Sequence, residues 1–378
     1  MINDRRNFIK SAIGISAGIL TARPLSGKTF SPFMLPLSKK SQTPRIRFSV
    51  IGVNHGHIYG MVNTVIRGGG ELVAFHAKED DLASEFIKRF PQAKRVQSEA
   101  EILNDGSIQL VLSSIIPNER AQLGIRVMEH GKDYLVDKPG ITSLSQLTAV
   151  RKVQKKTKRI FSIAYGRFDN KAMLKAGELV QKGAIGKVVQ TIGLGPHRVS
   201  PGSRQEWFFD KRYYGGIICD LGIHQFDQFL YFTGSTSGKI LASQVANVHH
   251  QQYKEFEDFG DALVQGNHGS GYIRVDWFTP DGLKTWGDGR MTILGTDGYI
   301  EIRPNIDIAG RVGDNHLFLV DKKETQYIDC KNLDSPYERQ LVGDFMNRTE
   351  TAMTQEHCFL ATELTLLAQK NAIKMGKI

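Results

Sequence analysis

The stretch Asp133-Tyr134-Leu135-Val136-Asp137-Lys138-Pro139-Gly140 joins an apolar run to a polar turn. The apolar run predicts a buried strand, and Pro139 biases Lys138 toward an extended backbone rather than a helix. In an open parallel sheet, ligands bind beyond the carboxyl ends of the strands, so we expect Lys138 at a ligand site. A lysine held there can give or take a proton. A surface lysine in an ordinary strand-end turn is the alternative interpretation.

Upstream of this stretch, an apolar run leads into Ile51-Gly52-Val53-Asn54-His55-Gly56-His57. The order of strand, turn and helix is the setting in which the dinucleotide fingerprint G-x-G-x-x-G has physical meaning. Gly52 can make the tight turn, but Asn54 and His57 occupy the positions of the second and third glycines. His55 and His57 could also bind a metal, but the sequence offers no third ligand nearby. No metal site is predicted.

The end of the second predicted strand bears on the choice of cofactor. Residues 71–76 form an apolar run, and Lys78 and Glu79 follow it. A cation there would favour the 2′-phosphate of NADP, whereas a carboxylate would favour the free 2′-hydroxyl of NAD. The two residues favour different cofactors, so the sequence leaves both NAD and NADP open.

Strands alternate with helices over the first part of the chain, which predicts an α/β fold with a doubly wound parallel sheet. The second half is rich in strand patterns and predicts an α+β domain with an open, largely antiparallel sheet. A helix over residues 220–232 is expected to pack on that sheet. The division expected is residues 1–44 as export signal and linker, residues 45–165 as a Rossmann domain, and residues 166–378 as a substrate and oligomerisation domain.

The net charge of +10 lies mostly in the first residues of the chain. Residues 1–45 contain eight basic residues and one acidic residue, so the other residues carry only +3. A basic balance confined to a leader says little about the partners of the folded body, and no nucleic-acid partner is expected. Three cysteines far apart in a chain of 378 residues predict neither a disulfide framework nor a zinc site.

The leader has a charged start followed by an apolar run too short to span a membrane. Arg5 and Arg6, followed by Phe8, resemble a twin-arginine export signal, although Asp4 replaces its usual serine or threonine. That pathway exports folded proteins, which predicts a periplasmic enzyme that acquires its cofactor before export. An ordinary basic leader or short anchor is the alternative. The protein would be cytoplasmic if the leader does not function, and no membrane contact is expected beyond it.

A second motif lies further along the chain, at Gly215-Gly216-Ile217-Ile218-Cys219-Asp220-Leu221-Gly222-Ile223-His224-Gln225-Phe226-Asp227. Asp220, His224 and Asp227 are spaced to share one face of a helix. A histidine that titrates near neutrality can exchange a hydroxyl proton, and an aspartate can orient it. A helix with a merely polar face is the alternative interpretation.

Together, the glycine turn, Pro117-Asn118 after a strand, Asp137-Lys138-Pro139 and the second motif resemble the Gfo/Idh/MocA family of nicotinamide-dependent oxidoreductases. The second motif matches the family pattern G-G-x-x-x-D-x-G-x-H-x-x-D, whereas Asp137 departs from the usual Glu-Lys-Pro. The resemblance covers about residues 45–378. It implies hydride transfer between NAD or NADP and a sugar or polyol.

The resemblance also implies which residues form the site. The implied catalytic residues are Lys138, Asp220 and His224. The cofactor-binding set is Gly52, Asn54, His55, Gly56, His57, Lys78, Pro117, Asn118, Asp137 and Lys138. The substrate set is Tyr165, Arg198, Trp207, Asp220 and His224. Independently of the resemblance, aromatic and polar side chains in the loop around Trp207 suit a sugar ring, and Arg198 or Arg204 could instead bind an acidic sugar. Interface packing is the alternative interpretation of that loop.

Two alternative functions remain open from the sequence. Some members of the family retain a tightly bound dinucleotide and cleave glycosidic bonds by transient oxidation, which would suit a compartment without free cofactor. A non-catalytic dinucleotide-binding scaffold is the second alternative, because the glycine turn is degenerate. The exposed face of the second sheet predicts a homo-oligomer, either a dimer or a tetramer, since an uncovered sheet needs a partner.

Overall fold

A computed structural model describes residues 46–168 and 170–376 of the chain. The predicted leader, with its arginine pair, and the predicted linker lie outside the described residues. Within the described ranges, no helix is both long enough and apolar enough to cross a membrane.

The first sheet consists of six parallel strands, as the alternation of strands and helices predicts. The strands are β1 (Ile46–Ile51), β2 (Gly70–His76), β3 (Lys94–Arg95), β4 (Leu110–Ser113), β5 (Asp133–Val136) and β6 (Phe161–Ile163). Their order in the sheet is β3-β2-β1-β4-β5-β6, the doubly wound arrangement whose order reverses between β1 and β4. Every residue of β4 and β5 is buried, because helices cover both faces of the sheet.

Five helices connect these strands. They are α1 (His57–Arg67), α2 (Asp80–Arg89), α3 (Glu99–Asn104), α4 (Pro117–Glu129) and α5 (Leu144–Thr157). Local sequence explains where several of them begin. Pro117 occupies the first turn of α4, where no backbone N–H is needed. The Ser143 hydroxyl caps α5 by accepting a hydrogen bond from the backbone N–H of Gln146.

The second sheet is mixed and largely antiparallel, which confirms the predicted fold class. Its strands are β7 (Val188–Pro196), β8 (Gly238–Ala246), β9 (Phe259–Gly266), β10 (Gly269–Asp276), β11 (Arg290–Gly295), β12 (Tyr299–Arg303), β13 (His316–Val320), β14 (Thr325–Asp329) and β15 (Ile373–Lys374). Their order is β14-β13-β12-β11-β7-β10-β9-β8-β15. Only the β7–β10 and β8–β15 pairs of these described strands are parallel.

The helices of the second half are α6 (Lys171–Gln181), α7 (Lys211–Tyr214), α8 (Ile223–Thr233), α9 (Tyr337–Asn347) and α10 (Gln355–Asn371). The expected single helix over residues 220–232 instead starts with a π-helical turn, Ile218–Gly222, that runs into α8. A π turn holds more residues than an α turn, so it changes the helical phase between Asp220 and the residues after it. Asp220 contacts Lys138, whereas Asp227 contacts Arg167 and His357, so the two aspartates have different partners. That they share one helix face stays a prediction.

The packing of the two halves positions the candidate site. One hydrophobic core contains residues of the first sheet, such as Val50 and Leu135, together with Phe226 of α8 and Val264 of β9. The carboxyl end of β5 thereby lies against the start of α8. The described residues belong to one compact unit, and the domain boundaries near residue 165 stay a prediction.

Candidate active site

Lys138 lies at the carboxyl end of β5, and a buried arginine fixes the loop that carries it. The Arg120 guanidinium donates hydrogen bonds to the carbonyl oxygens of Ile115 at 2.7 Å, Lys138 at 2.6 Å and Pro139 at 3.3 Å. The Lys138 ammonium donates to Asp220 Oδ1 at 2.8 Å, and only 7% of the lysine side chain is exposed. Burial disfavours the charged form of Asp220, but the adjacent ammonium keeps the pKa of its carboxyl below its ordinary value.

His224 lies beside this pair as a neutral hydrogen-bond donor. The backbone N–H of Gly166 donates to His224 Nδ1 at 3.1 Å, so the ring proton is on Nε2. Burial, assisted by the Lys138 charge, lowers the pKa of His224 to about 3. The expectation that His224 titrates near neutrality is therefore wrong, because this site disfavours the imidazolium.

Asp137 does not present a free carboxylate to a cofactor. It is completely buried and contacts His55 Nδ1 at 2.8 Å, His57 Nδ1 at 2.9 Å and the Arg120 guanidinium at 3.0 Å. Burial opposes its ionisation, but Arg120 and the two imidazoles hold its pKa well below the ordinary value. Through these contacts Asp137 links the glycine turn to the loop that carries Lys138.

His55, His57 and Asp137 also form a group with potential metal ligands. Their ligand atoms lie within 4.8 Å of one another, so folding supplies the third ligand that the sequence did not reveal. Two imidazole–carboxylate hydrogen bonds and the Arg120 ion pair already satisfy the group. A metal would have to displace both ring protons and lie beside a guanidinium. The absence of a metal site stays a prediction.

The turn between β1 and α1 fits the pyrophosphate of a dinucleotide. Gly52 has a φ of +79°, and a Cβ atom there would lie 1.6 Å from the Ile115 side chain, so only glycine is tolerated. Gly56 precedes α1 without a side-chain cap, and a Cβ atom there would meet nothing within 4 Å. Open space at a helix start that no side chain caps suits a phosphate, which the positive end of the helix dipole attracts.

The other predicted cofactor residues are placed differently. Asn54 Nδ2 donates to Glu79 Oε1 at 2.9 Å, so this carboxylate is held at the end of β2 beside the turn. The Lys78 side chain is 77% exposed, and its ammonium lies 3.9 Å from Glu119. Pro117 is buried in α4. Asn118 lines a separate cavity near α5 and does not reach the space above Lys138.

A cavity of about 480 Å³ opens in front of Lys138 and His224. Residues of both halves line it, including His57 from the start of α1 and Leu194 from β7. Its volume falls within the range of small-molecule sites. Polar side chains converge on a largely apolar wall; among them are His57, Thr64, Asp137, Lys138, Asn170, His197, His224, Gln225, Gln228, Arg290 and Asn305.

The predicted substrate residues are only partly brought together. Lys138 and His224 line this cavity, with Asp220 bound to Lys138. Tyr165 contributes its ring to the wall, while its hydroxyl donates to the Cys358 carbonyl oxygen at 3.3 Å. Trp207 lines a second cavity of about 510 Å³ beside the glycine turn.

Arg198 also differs from its predicted place. It does not line the cavity, because its guanidinium donates to the carbonyl oxygens of Pro280 and Leu283, each at 2.7 Å. Its own backbone N–H donates to the Trp286 carbonyl oxygen at 2.7 Å. Arg198 therefore holds the loop of residues 280–289 in place.

Sequence reasoning missed Trp286, His197 and Gln225. Trp286 lies in a loop between strands, and no motif marks it. His197 was visible only as part of a Gly-Pro-His-Arg stretch. Gln225 follows His224 within the second motif, so the motif itself could have suggested it.

Two family profiles match the chain in succession. One, described as an oxidoreductase family with an NAD-binding Rossmann fold, matches residues 46–165. The other, described as a GFO/IDH/MocA C-terminal domain, matches residues 173–301. Together they cover the first sheet and strands β7 to β11 of the second.

Individual proteins agree with these profiles. The crystal structure of a provisionally assigned oxidoreductase from Erwinia carotovora atroseptica is 46% identical, with a TM-score of 0.85 over 88% of this chain and 100% of that one. The scyllo-inositol 2-dehydrogenase (NAD⁺) of Bacillus subtilis is 25% identical over 68% of this chain and 74% of its own length. The myo-inositol 2-dehydrogenase of Thermotoga maritima is 25% identical over 66% of this chain and 71% of its own.

Proposed function

The chain belongs to the Gfo/Idh/MocA family of NAD-binding oxidoreductases, and from that premise we propose that it oxidises or reduces a sugar or polyol. The observation that carries the proposal is the Lys138–Asp220 pair, with an Nζ–Oδ1 distance of 2.8 Å, at a cavity that reaches the dinucleotide turn. The two inositol dehydrogenases that the chain resembles act, by their names, on cyclic polyols.

Lys138 is the group that moves the proton. Oxidation of a carbinol requires a base at the hydroxyl, and reduction of a carbonyl requires an acid at the same oxygen. Lys138 can serve as amine or as ammonium, and Asp220 fixes its Nζ in place. Asp220 is therefore a positioning residue that acts through Lys138.

His224 supports the same oxygen in a different way. Its Nε2–H is a donor, and its pKa of about 3 prevents it from taking a proton at neutral pH. A neutral donor can hold the hydroxyl oxygen and stabilise charge that develops on it. The proton itself is left to Lys138.

The cofactor would be held at the turn formed by Gly52, Asn54, Gly56 and His57, at the start of α1. When bound, a nicotinamide supplies the acceptor or donor of the hydride. Glu79, held by Asn54 at the end of β2, supports NAD, whereas the exposed Lys78 points away toward Glu119. We infer a preference for NAD over NADP.

The test is to purify the full-length protein without added cofactor, denature it and identify any released dinucleotide by mass spectrometry. Retained NAD would support tight binding; an empty protein that binds added NAD(H) would support an exchanging cofactor. An empty protein that binds neither NAD(H) nor NADP(H) would overturn the proposal and favour the scaffold.

Product analysis separates the oxidoreductase from the glycosidase that uses retained NAD. The protein is incubated with inositols and with aryl glycosides, and both NADH and free aglycone are measured. Oxidation of a polyol with NADH formation supports the dehydrogenase. Release of aglycone without net NADH would identify the elimination route instead.

Export and assembly are further parts of the proposal. The arginine pair at residues 5 and 6 supports export by the twin-arginine route, which a periplasmic reporter fusion with Arg5→Lys and Arg6→Lys would test. Val189, Leu241, Leu294 and Tyr299 are exposed on strands of the second sheet, which supports a homo-oligomer through that sheet. Light scattering of the purified protein measures its state.

A further inference from the structure

We propose that the cavity selects an uncharged cyclic sugar or polyol whose ring lies on Trp286 and whose hydroxyl group donates to Gln225. This inference rests on the proposed function and adds the charge class of the substrate and the residues that recognise it. Both residues lie in the wall that the second half of the chain contributes.

Trp286 provides an aromatic surface at the cavity. It is 55% exposed, although tryptophan is usually among the more buried side chains. The His197 ring lies behind it, with the two ring centroids 4.6 Å apart. Arg198 fixes the loop at Pro280, at Leu283 and at Trp286 itself, so the indole is presented by an anchored loop. An exposed, anchored aromatic ring at a cavity suits the apolar face of a sugar ring.

Gln225 contributes a hydrogen-bond acceptor that is unpaired within the described residues. The residue is 8% exposed and lines the cavity, and its buried Oε1 atom has no hydrogen-bond partner among the described residues. Its amide packs against β7, where a Cβ atom on Gly195 would lie 2.8 Å from Nε2. Because an unpaired buried acceptor is costly, a ligand hydroxyl is the natural partner for Oε1.

Two of the three histidines that line the cavity, His197 and His224, present opposite hydrogen-bonding groups. His197 Nδ1 lies 3.0 Å from the Gly195 carbonyl oxygen and must donate to it, so the neutral ring has a lone pair on Nε2. Burial, followed by the Lys138 charge, lowers the pKa of His197 to about 4, so it carries no charge at neutral pH. Hydroxyl groups both donate and accept, so they can satisfy His197 and His224 together.

The charges of the wall exclude an anionic ligand. Of the described residues that line the cavity, Lys138 and Arg290 are the lysine and arginine. Lys138 is paired with Asp220 at 2.8 Å, and Arg290 is paired with Asp288 at 2.8 Å. A carboxylate or phosphate entering the cavity would lose its hydration without gaining an unpaired cation. Sugar acids and sugar phosphates are therefore expected to bind poorly.

The test measures binding to the NAD-loaded full-length protein by titration calorimetry. The probes are myo-inositol and matched sets of glucose, galactose and mannose, each as the neutral sugar, the uronate and the 6-phosphate. We expect at least one neutral probe to bind, with an affinity at least about tenfold above those of its charged partners. Tighter binding of a uronate or phosphate, or no binding of any neutral probe at 50 mM (~50-fold above a 1 mM Kd), would overturn the inference.

Variants locate the binding surface. Trp286→Ala should weaken binding of a neutral probe about tenfold, whereas Tyr213→Ala, at an exposed position outside the cavity, should leave sugar affinity unchanged. Gln225→Leu keeps the shape of the side chain and removes its hydrogen-bond acceptor, so it should weaken binding of the neutral sugar. A deoxy probe that lacks the donated hydroxyl should bind the variant and the parent equally well. Equal effects of Trp286→Ala and Tyr213→Ala would contradict the assignment.

A separate readout keeps the two proposals distinguishable. Binding of NADH is followed by its fluorescence in each variant. If NADH binds but charged sugars are preferred, only this inference fails. If no dinucleotide binds, the proposed oxidoreductase fails with it.

Discussion

Two buried clusters near α8 share the same three components: a cation, an aspartate and a histidine. In the first, Lys138 is paired with Asp220, and His224 lies beside them at the cavity. In the second, Arg167 makes two hydrogen bonds of 2.9 Å to Asp227, which also contacts His357 Nε2 at 2.8 Å. Asp220 and Asp227 belong to one sequence motif, yet only the first cluster faces the cavity.

The two clusters differ in the chemistry of their cation and in whether that cation reaches the cavity. A lysine can hold or release its proton, whereas an arginine stays charged and fixes a carboxylate with a planar fork. Arg167 also lies between the rings of Phe168 and Tyr231, at 4.1 and 4.0 Å from their centroids. We infer that the first cluster serves chemistry and that the second stabilises the fold.

The largest effect is expected from the cation of the first cluster. Lys138→Ala should reduce turnover by about 10³-fold or more, because the acid–base group is lost, while NADH binding stays measurable. Lys182→Ala, an exposed lysine on the surface, is the control. Turnover of the Lys138 variant within about tenfold of the parent would show that another group moves the proton.

The cation of the second cluster should affect stability instead. Arg167→Met leaves Asp227 buried without its guanidinium and should lower the free energy of unfolding by about 3–5 kcal/mol. Urea unfolding followed by circular dichroism measures it. The double variant Arg167→Met/Asp227→Asn should recover part of the loss. A change below about 1 kcal/mol would remove the distinction between the clusters.

Replacing the histidine of each cluster should have a smaller effect than replacing its cation. His224→Ala should reduce kcat about ten- to hundredfold through the loss of the Nε2 donor. His357→Ala should leave kcat unchanged and lower the free energy of unfolding by about 1–2 kcal/mol. Steady-state kinetics and urea unfolding on both variants make the comparison. Exchanged effects would reverse the assignment of the clusters.

Acid should destabilise the protein through the cavity histidines. Burial lowers the pKa of His224 to about 3 and of His197 to about 4, whereas both titrate near the ordinary value of about 6.5 when unfolded. Between these pH values the unfolded chain binds more protons than the folded protein does. The free energy of unfolding is therefore highest above pH ~6.5 and falls as the pH drops toward ~4. Each group contributes a slope of up to about 1.4 kcal/mol per pH unit.

Unfolding free energies between pH 4 and 7 check this pH dependence. His197→Asn should reduce the slope, and His268→Asn, at an exposed position, should not. An unchanged slope in His197→Asn would contradict the neutral, buried state of that ring.

The amino-acid sequence determined the fold class and the central pair of the site. Apolar runs such as residues 108–113 and 133–136 predict strands covered on both faces, and alternation with helices requires a parallel sheet. Gly52 and the Lys138 turn mark strand ends, and strand ends lie at the ligand-binding edge. These features are local in sequence, so periodicity and turn chemistry reveal them.

Only the tertiary structure decided which polar side chains face the ligand. Asp137 is turned inward by Arg120, and a π turn separates Asp220 from Asp227, which no spacing rule predicted. Arg198 anchors a loop, and that loop presents Trp286 in the place predicted for Trp207. Contacts between residues 17 to 130 apart in the chain fix these orientations, because burial, pairing and ring-proton positions depend on neighbours that folding brings together.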